Sequence, residues 1–174
     1  MEYEIKITKA SPQLIAAVRA RVPRGGVAQA FGEPLGKVWA FLRKHPGLRT
    51  DGHNLFLYHH EAAKSGGAKS GAAEYEAAKS DANSGFMTVD FGVQVVRHFD
   101  QEGDVRPVGT PGGEVVTMVH RGPYDRLSEA HTAIHYWCRK NGKRIGGFSW
   151  EIYGDWTNDP NELETTVVYL LHCA

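Results

Sequence analysis

The feature that most narrows what this chain can fold into is that its two halves carry the same plan. Phe41-Leu42-Arg43-Lys44-His45 precedes Trp137-Cys138-Arg139-Lys140-Asn141 by about 96 positions, and Leu55-Phe56-Leu57-Tyr58 precedes Trp150-Glu151-Ile152-Tyr153 by about 95. Two independent blocks at nearly one offset point to duplication of a strand-strand-helix-strand-strand unit. Related halves commonly pack about a pseudo-twofold axis, and a ligand cleft then forms between them.

The local patterns fill in each unit. Residues 3–8 alternate Tyr, Ile, Ile against Glu, Lys, Lys, the period of a half-buried strand. A second strand runs over 14–22 and stops at Pro23 and Gly25-Gly26. Over 27–44 the period changes: Leu35, Val38, Trp39 and Leu42 share one face of an amphipathic helix. Strands follow over 55–59 and 87–99. In the second half, strands over 105–110 and 114–120 lead to Pro123, which opens a helix whose apolar face is Leu127, Ala130, Ile134 and Cys138. Asn141-Gly142 closes that helix, and strands over 148–153 and 165–172 end the chain. The spacing thus predicts an α+β fold with antiparallel strands and one main helix per half. The first repeat covers about 1–99 and the second about 104–174, within a single domain. Residues 61–85 interrupt the first repeat. They are dominated by Ala, Lys, Ser, Gly and Glu, with EAAKS occurring twice. Such a stretch has too little apolar area to offset its ordering entropy, so an exposed flexible insertion is expected.

Charge and composition remove several function classes. Twenty Lys and Arg balance twenty Asp and Glu, which argues against a dedicated nucleic-acid binder. The basic cluster Arg19, Arg21 and Arg24 is too small to reverse this and reads as solvated surface. No apolar run is long enough to span a bilayer, and the acidic, alternating start is unlike a secretory signal, so a cytoplasmic protein with no membrane contact is expected. Cys138 and Cys173 form neither a disulfide framework nor a metal-spaced pair, and Cys138 is expected to be a small buried hydrophobe. His131 and His135 stand at i, i+4 on the second helix, but Thr-Ala-Ile between them lacks the general base of the zinc proteases. They read as core and boundary histidines, and neither a metal nor a cofactor is expected. His59-His60 points its side chains oppositely and receives no metal either. No Gly-rich phosphate loop, Ser-His-Asp ordering or nucleophile elbow stands out.

Strand alternation puts Glu151 and Tyr153 on one face of their strand, and the repeat offset puts Phe56 and Tyr58 on the matching face of the first half. Twofold packing would bring these four around one cavity. A carboxylate enclosed by aromatic rings resists ionisation unless a positive charge answers it. Aromatic walls attract a flat cation, by about 0.5–2 kcal/mol per contact. From the strand pattern alone, an exposed Glu151 on an edge strand, or one paired with an arginine, fits equally well. Trp39 and Trp137 are helix-face aromatics that serve as core or as pocket wall. His120 and Tyr124 flank a turn that shapes the cleft.

The motifs His120-Arg121-Gly122-Pro123-Tyr124, Trp150-Glu151-Ile152-Tyr153 and Thr165-Thr166-Val167-Val168-Tyr169-Leu170 occur in this order. Together they resemble the GyrI-like domains, which also form the effector-binding part of AraC-type and MerR-type multidrug regulators. The resemblance is clearest from Val105 onward. In the first half only the duplicated plan and Met87-Thr88-Val89-Asp90-Phe91-Gly92-Val93 carry it. It implies two β-α-β-β units with ligand in the groove between them, and Glu151 as the carboxylate that meets cationic drugs. The ligand-binding set it suggests is Glu151, Tyr153, Phe56, Tyr58, Trp39, Trp137, Tyr124, His120 and Phe91. The partner expected is a small lipophilic cation or aromatic molecule, held by a sensor or sequestering protein. No helix-turn-helix candidate precedes the first strand, so no direct nucleic-acid contact is expected. Two alternatives come with the resemblance. One is a hydrolase that opens cyclopropane rings of DNA-alkylating compounds, with Glu151 orienting water and Tyr153 (or Tyr58) binding substrate. The other is a gyrase-interacting inhibitory protein, for which no acidic face or apolar stripe speaks.

Overall fold

The structure, a computed structural model, describes residues 3–49, 51–60 and 85–172. Apart from Gly85, the expected insertion at 61–85 lies outside the described residues. Eight strands form one sheet: β1 (Lys6–Ala10), β2 (Leu14–Pro23), β3 (Asn54–His59), β4 (Phe86–Gln94), β5 (Arg106–Gly109), β6 (Gly113–Arg121), β7 (Ile145–Tyr153) and β8 (Glu164–Leu171). The helices are a single turn α1 (Val27–Ala30), then α2 (Gly32–Lys44) and α3 (Leu127–Lys140). The sheet order is β1-β6-β8-β7-β3-β4-β2-β5, and every named pair is antiparallel.

That order is the duplication made visible. From the centre outward, β3-β4-β2 of the first half mirrors β7-β8-β6 of the second. The halves meet where β3 pairs with β7, and in that register Phe56 lies opposite Glu151. These two residues are also repeat equivalents, so the pseudo-twofold axis passes through their pair. The leading strand of each half crosses over: β1 adds to β6 of the second half, and β5 adds to β2 of the first.

The crossing also bends the sheet. β1 and β2 are six strand positions apart, about 29 Å if the sheet were flat, yet only residues 11–13 join them. Such a link spans at most about 14 Å. The same holds for β5 and β6 across residues 110–112. The sheet must therefore curl until its ends approach, and the two short links clasp. The Thr110 backbone N–H donates to the Gln13 carbonyl and the Gln13 N–H to the Thr110 hydroxyl, each at 2.8 Å. The inside of the curl is filled by Ile15, Ala17, Leu55, Leu57, Val115, Trp150 and Val168. Gly92 sits where packing leaves no room for a side chain, since a Cβ there would lie 2.9 Å from the Ala16 carbonyl oxygen.

The outer face carries the helices. α2 buries Leu35, Val38, Phe41 and Leu42 against β2 and β4, while α3 buries Leu127, Ala130, Ile134 and Cys138 against β6 and β8. Several boundaries differ from the sequence reading, and four of them have a visible cause. β1 begins at Lys6, because Tyr3 and Ile5 pack onto the α3 core instead of pairing. The helical run over 27–44 breaks at Phe31, the cap between α1 and α2. The strand expected to reach residue 99 ends at Gln94, after which the chain turns and the Val96 N–H bonds the Leu48 carbonyl. Pro123 opens one 3-10 turn, Tyr124–Arg126, before α3 begins.

Candidate functional site

Between the two helices, the centre of the sheet is left uncovered. The hollow there has a volume of about 710 Å³. Its floor is the β3–β7 seam, with Phe56, Tyr58, Ser149, Glu151 and Tyr153 all projecting to the helix side. Val27, Phe31 and Leu35 make one wall, and Leu127, Ser128 and His131 of α3 make the other. Tyr124 and Trp156 stand at the mouth, and the Trp156 side chain is 76% exposed. A second hollow of about 780 Å³ runs along β2 beside α2. Among the described residues no aromatic side chain lines it, and its Lys37 is already bonded to Asp104 at 2.8 Å and Glu33 at 3.4 Å. The central hollow is therefore the candidate site.

Glu151 is 5% exposed and lies at its base. One carboxylate oxygen accepts from the Tyr58 hydroxyl at 2.7 Å and from the Tyr153 hydroxyl at 2.5 Å. The other accepts from His131 Nε2 at 2.7 Å. A carboxylate can only accept, so Nε2 carries a proton. Burial works to raise the Glu151 pKa, but hydrogen bonds and charge from His131, then Tyr153 and Tyr58, outweigh it and hold the acid below its ordinary range. The same burial, with the Glu151 charge beside them, pushes Tyr58 and Tyr153 well above the usual phenol value. The network continues outward. Tyr169 meets His131 Nδ1 at 2.8 Å, and His60 Nε2 lies 2.6 Å from the buried Ser149 hydroxyl. Burial first, then the neighbouring His135, holds His60 down to about 4.

The structure brings together Glu151, Tyr153, Phe56, Tyr58 and Tyr124 from the expected set. Phe56 rests on Tyr153 with ring centroids 4.8 Å apart, and Tyr124 meets Tyr153 edge-on at 5.4 Å. Four others lie away from the hollow. Phe91 is fully buried behind Phe56, which it meets edge-on. Trp39 packs on the edge of the α2 core, where its indole N–H donates to Asn54 and the Arg49 guanidinium stacks on its ring. Trp137 packs on the edge of the α3 core. His120 is buried under the turn it shapes, where its Nδ1 meets the Tyr3 hydroxyl and its Nε2–H donates to the Pro123 carbonyl. Helix-face spacing sent Trp39 and Trp137 inward in projection, but each falls at the shoulder of its face.

His131 is the residue that sequence reasoning placed in the core. It lines the site, half-buried, and supplies the polar partner that an enclosed carboxylate needs. The repeat held the signal. At the offset of the helix blocks, His131 is the counterpart of Leu35, as Glu151 is of Phe56, and all four line the hollow. The pocket thus has an apolar half and a charged half. His135 is exposed and touches only the Tyr169 ring edge among the site's aromatics. Among the described residues, no group of three or more His, Cys, Asp or Glu is placed to hold a metal ion. Nor is any described helix long and apolar enough to cross a membrane.

Residues 3–171 match the model of the GyrI-like small molecule binding domain. No curated protein matches the chain in sequence. Among solved structures, the C-terminal domain of EcmrR superposes with a TM-score of 0.74 at 22% identity, over 100% of each chain. SAV2435 bound to tetraphenylphosphonium gives 0.57 at 10% identity, over 99% of this chain and 94% of that one. A hydrolase from Listeria innocua gives 0.58 at 11% identity, over 97% and 92%.

Proposed function

Since this chain belongs to the GyrI-like small-molecule-binding family, we propose that its central hollow takes a flat or propeller-shaped lipophilic cation, which it senses or sequesters. The observation that carries this is Glu151, an ionised carboxylate at the base of a hollow walled by Phe31, Phe56, Tyr58, Tyr124 and Tyr153. An aromatic enclosure excludes water from such a charge. A cation that is itself weakly hydrated loses little on entering, and it gains both the carboxylate and the ring faces. SAV2435, of the same fold, holds tetraphenylphosphonium. The apolar half, with Leu35 and Phe56, supports a ligand with hydrocarbon bulk on one side and charge on the other.

The hydrolase reading asks Glu151 to act as a base toward water. Its carboxylate already accepts three hydrogen bonds and its pKa is depressed, both of which weaken a general base. Those features favour a fixed counter-charge over a proton acceptor. Thermal melting with tetraphenylphosphonium tests the proposal. A ligand that binds only the native state stabilises it by RT ln(1 + [L]/Kd). At about 100 times Kd this amounts to roughly 2.7 kcal/mol, or about 5–10 °C for a domain of this size. A flat melting temperature up to millimolar ligand rejects the reading.

A further inference from the structure

The site carries an ionisable partner for Glu151 in its own wall. His131 Nε2 sits 2.7 Å from Glu151, and its other ring nitrogen is 2.8 Å from the Tyr169 hydroxyl. A phenol can either donate or accept. When His131 is neutral, Tyr169 donates to Nδ1. When His131 is protonated, Nδ1 donates to the Tyr169 oxygen, and the Tyr169 O–H turns to donate to the Ser149 hydroxyl, with which it also bonds. Both charge states of His131 are therefore satisfied in place, with no side chain having to move. Burial keeps Tyr169 a hydroxyl throughout. The side chain also touches the ligand space, since His131 lines the hollow and is 26% exposed.

We propose that His131 determines the charge class of the ligand: a lipophilic cation binds Glu151 in exchange for the His131 proton, while a neutral aromatic ligand binds without that exchange. The inference rests on the reading of the hollow as a cation site and adds the residue that sets its selectivity. The argument is one of charge balance. A single buried carboxylate can be answered by the imidazolium or by the ligand, and two cations beside it repel each other in a medium that screens poorly. The first half has neither member of the pair. Leu35 and Phe56 stand at the equivalent positions, so the acid and the imidazole occur together in one half and both are absent from the other.

Other groups face the pair from each neighbouring element. Tyr58 and His60 come from β3, Tyr153 from β7, Tyr169 from β8, and His135 from the next turn of α3; Asp125 lies at the rim. Imidazole is the side chain whose charge changes between pH 5 and 8. The three tyrosines stay hydroxyls there. Burial keeps His60 neutral until about pH 4, and burial also lowers His135, so both favour the neutral form across the upper part of that window.

The test is calorimetry of the whole chain with tetraphenylphosphonium and with neutral triphenylphosphine oxide, in two buffers of different ionisation enthalpy, from pH 5.5 to 8. Tetraphenylphosphonium should bind about tenfold tighter at pH 7.5 than at pH 5.5 and release a fraction of a proton near the middle of the range, whereas the oxide should release none. In His131→Gln the proton release should vanish and cation affinity should become nearly flat with pH. The wild-type proton count stands even if that variant folds poorly, and His131→Asn gives a second substitution to compare. Cation binding without proton release overturns the inference and leaves the cation site standing. Release that persists unchanged in His131→Gln also overturns it, assigning the proton to another group. Failure of both ligands to bind removes the cation site itself, and the inference with it.

Discussion

Glu151→Gln should weaken a lipophilic monocation by about 10- to 100-fold at pH 7.5, while a neutral ligand of the same shape changes by less than about threefold. The substitution keeps the size of the side chain and retains an oxygen for one of the donors now held by the carboxylate. What it removes is the charge. At an effective dielectric constant near 20, opposite unit charges about 4–5 Å apart attract by roughly 3–4 kcal/mol. Three hydrogen bonds, from Tyr58, Tyr153 and His131, already answer part of that field, so a net loss of about 1.4–2.8 kcal/mol is expected, which is the stated range in affinity. Fluorescence titration of both ligands against both proteins reads it, and Trp156 at the mouth is a natural reporter. Equal weakening of the two ligands would show that Glu151 only shapes the cavity.

The second large effect lies on the opposite face of the sheet. Asp90 is fully buried, gripped by both arms of the Arg19 guanidinium at 2.9 and 3.0 Å and by His59 at 2.7 Å, with Arg106 at 3.8 Å. Asp90→Ala leaves these basic groups facing one another without their acid. Removing one member of a buried ion cluster costs about 3–5 kcal/mol. The arginines here are about a third exposed and regain some hydration, so the lower end is expected. For a domain of this size that is a fall of roughly 6–12 °C in melting temperature. The acid limb provides a separate check. Burial works to raise the Asp90 pKa, yet His59 and Arg19 hold it at about 2, below the ordinary 3.8. A folded-state value below the unfolded one means stability that is present above about pH 4 and lost as pH falls through about 2. The difference corresponds to roughly 2 kcal/mol. Asp90→Asn should flatten that limb in urea melts between pH 4 and 2. If the wild type and the variant lose stability in parallel there, the cluster does not carry the effect.

Much of the architecture was legible in the sequence, and for one reason. The offset between Phe41–His45 and Trp137–Asn141, and between Leu55–Tyr58 and Trp150–Tyr153, fixed the equivalence of the halves before any coordinate. Antiparallel pairing of equivalent strands then had to place equivalent residues at the axis, as Phe56 and Glu151 are. Strand alternation further put Tyr58 and Tyr153 on the same face as that pair. The curl of the sheet was not legible. It follows from β1 and β5 exchanging halves, a long-range pairing that no local pattern encodes. The helix-borne residues were the weakest part. Projection onto a wheel distinguishes an apolar face from a polar one, but a site between two helices lies at the margin of that face. Trp39 and Trp137 fall outside the margin and His131 falls inside it. Comparing His131 with Leu35 across the repeat would have marked it, because a histidine replacing a leucine at a position facing a buried acid has a partner waiting.

A crystal structure of the protein with tetraphenylphosphonium tests the central claim most directly. The phosphonium should appear in the hollow between α2 and α3, with its phosphorus within about 6 Å of the Glu151 carboxylate and phenyl rings against Phe56 and Tyr153. Density seated only in the charged groove beside β2, or a hollow still empty of ligand at saturating concentration, would contradict the account.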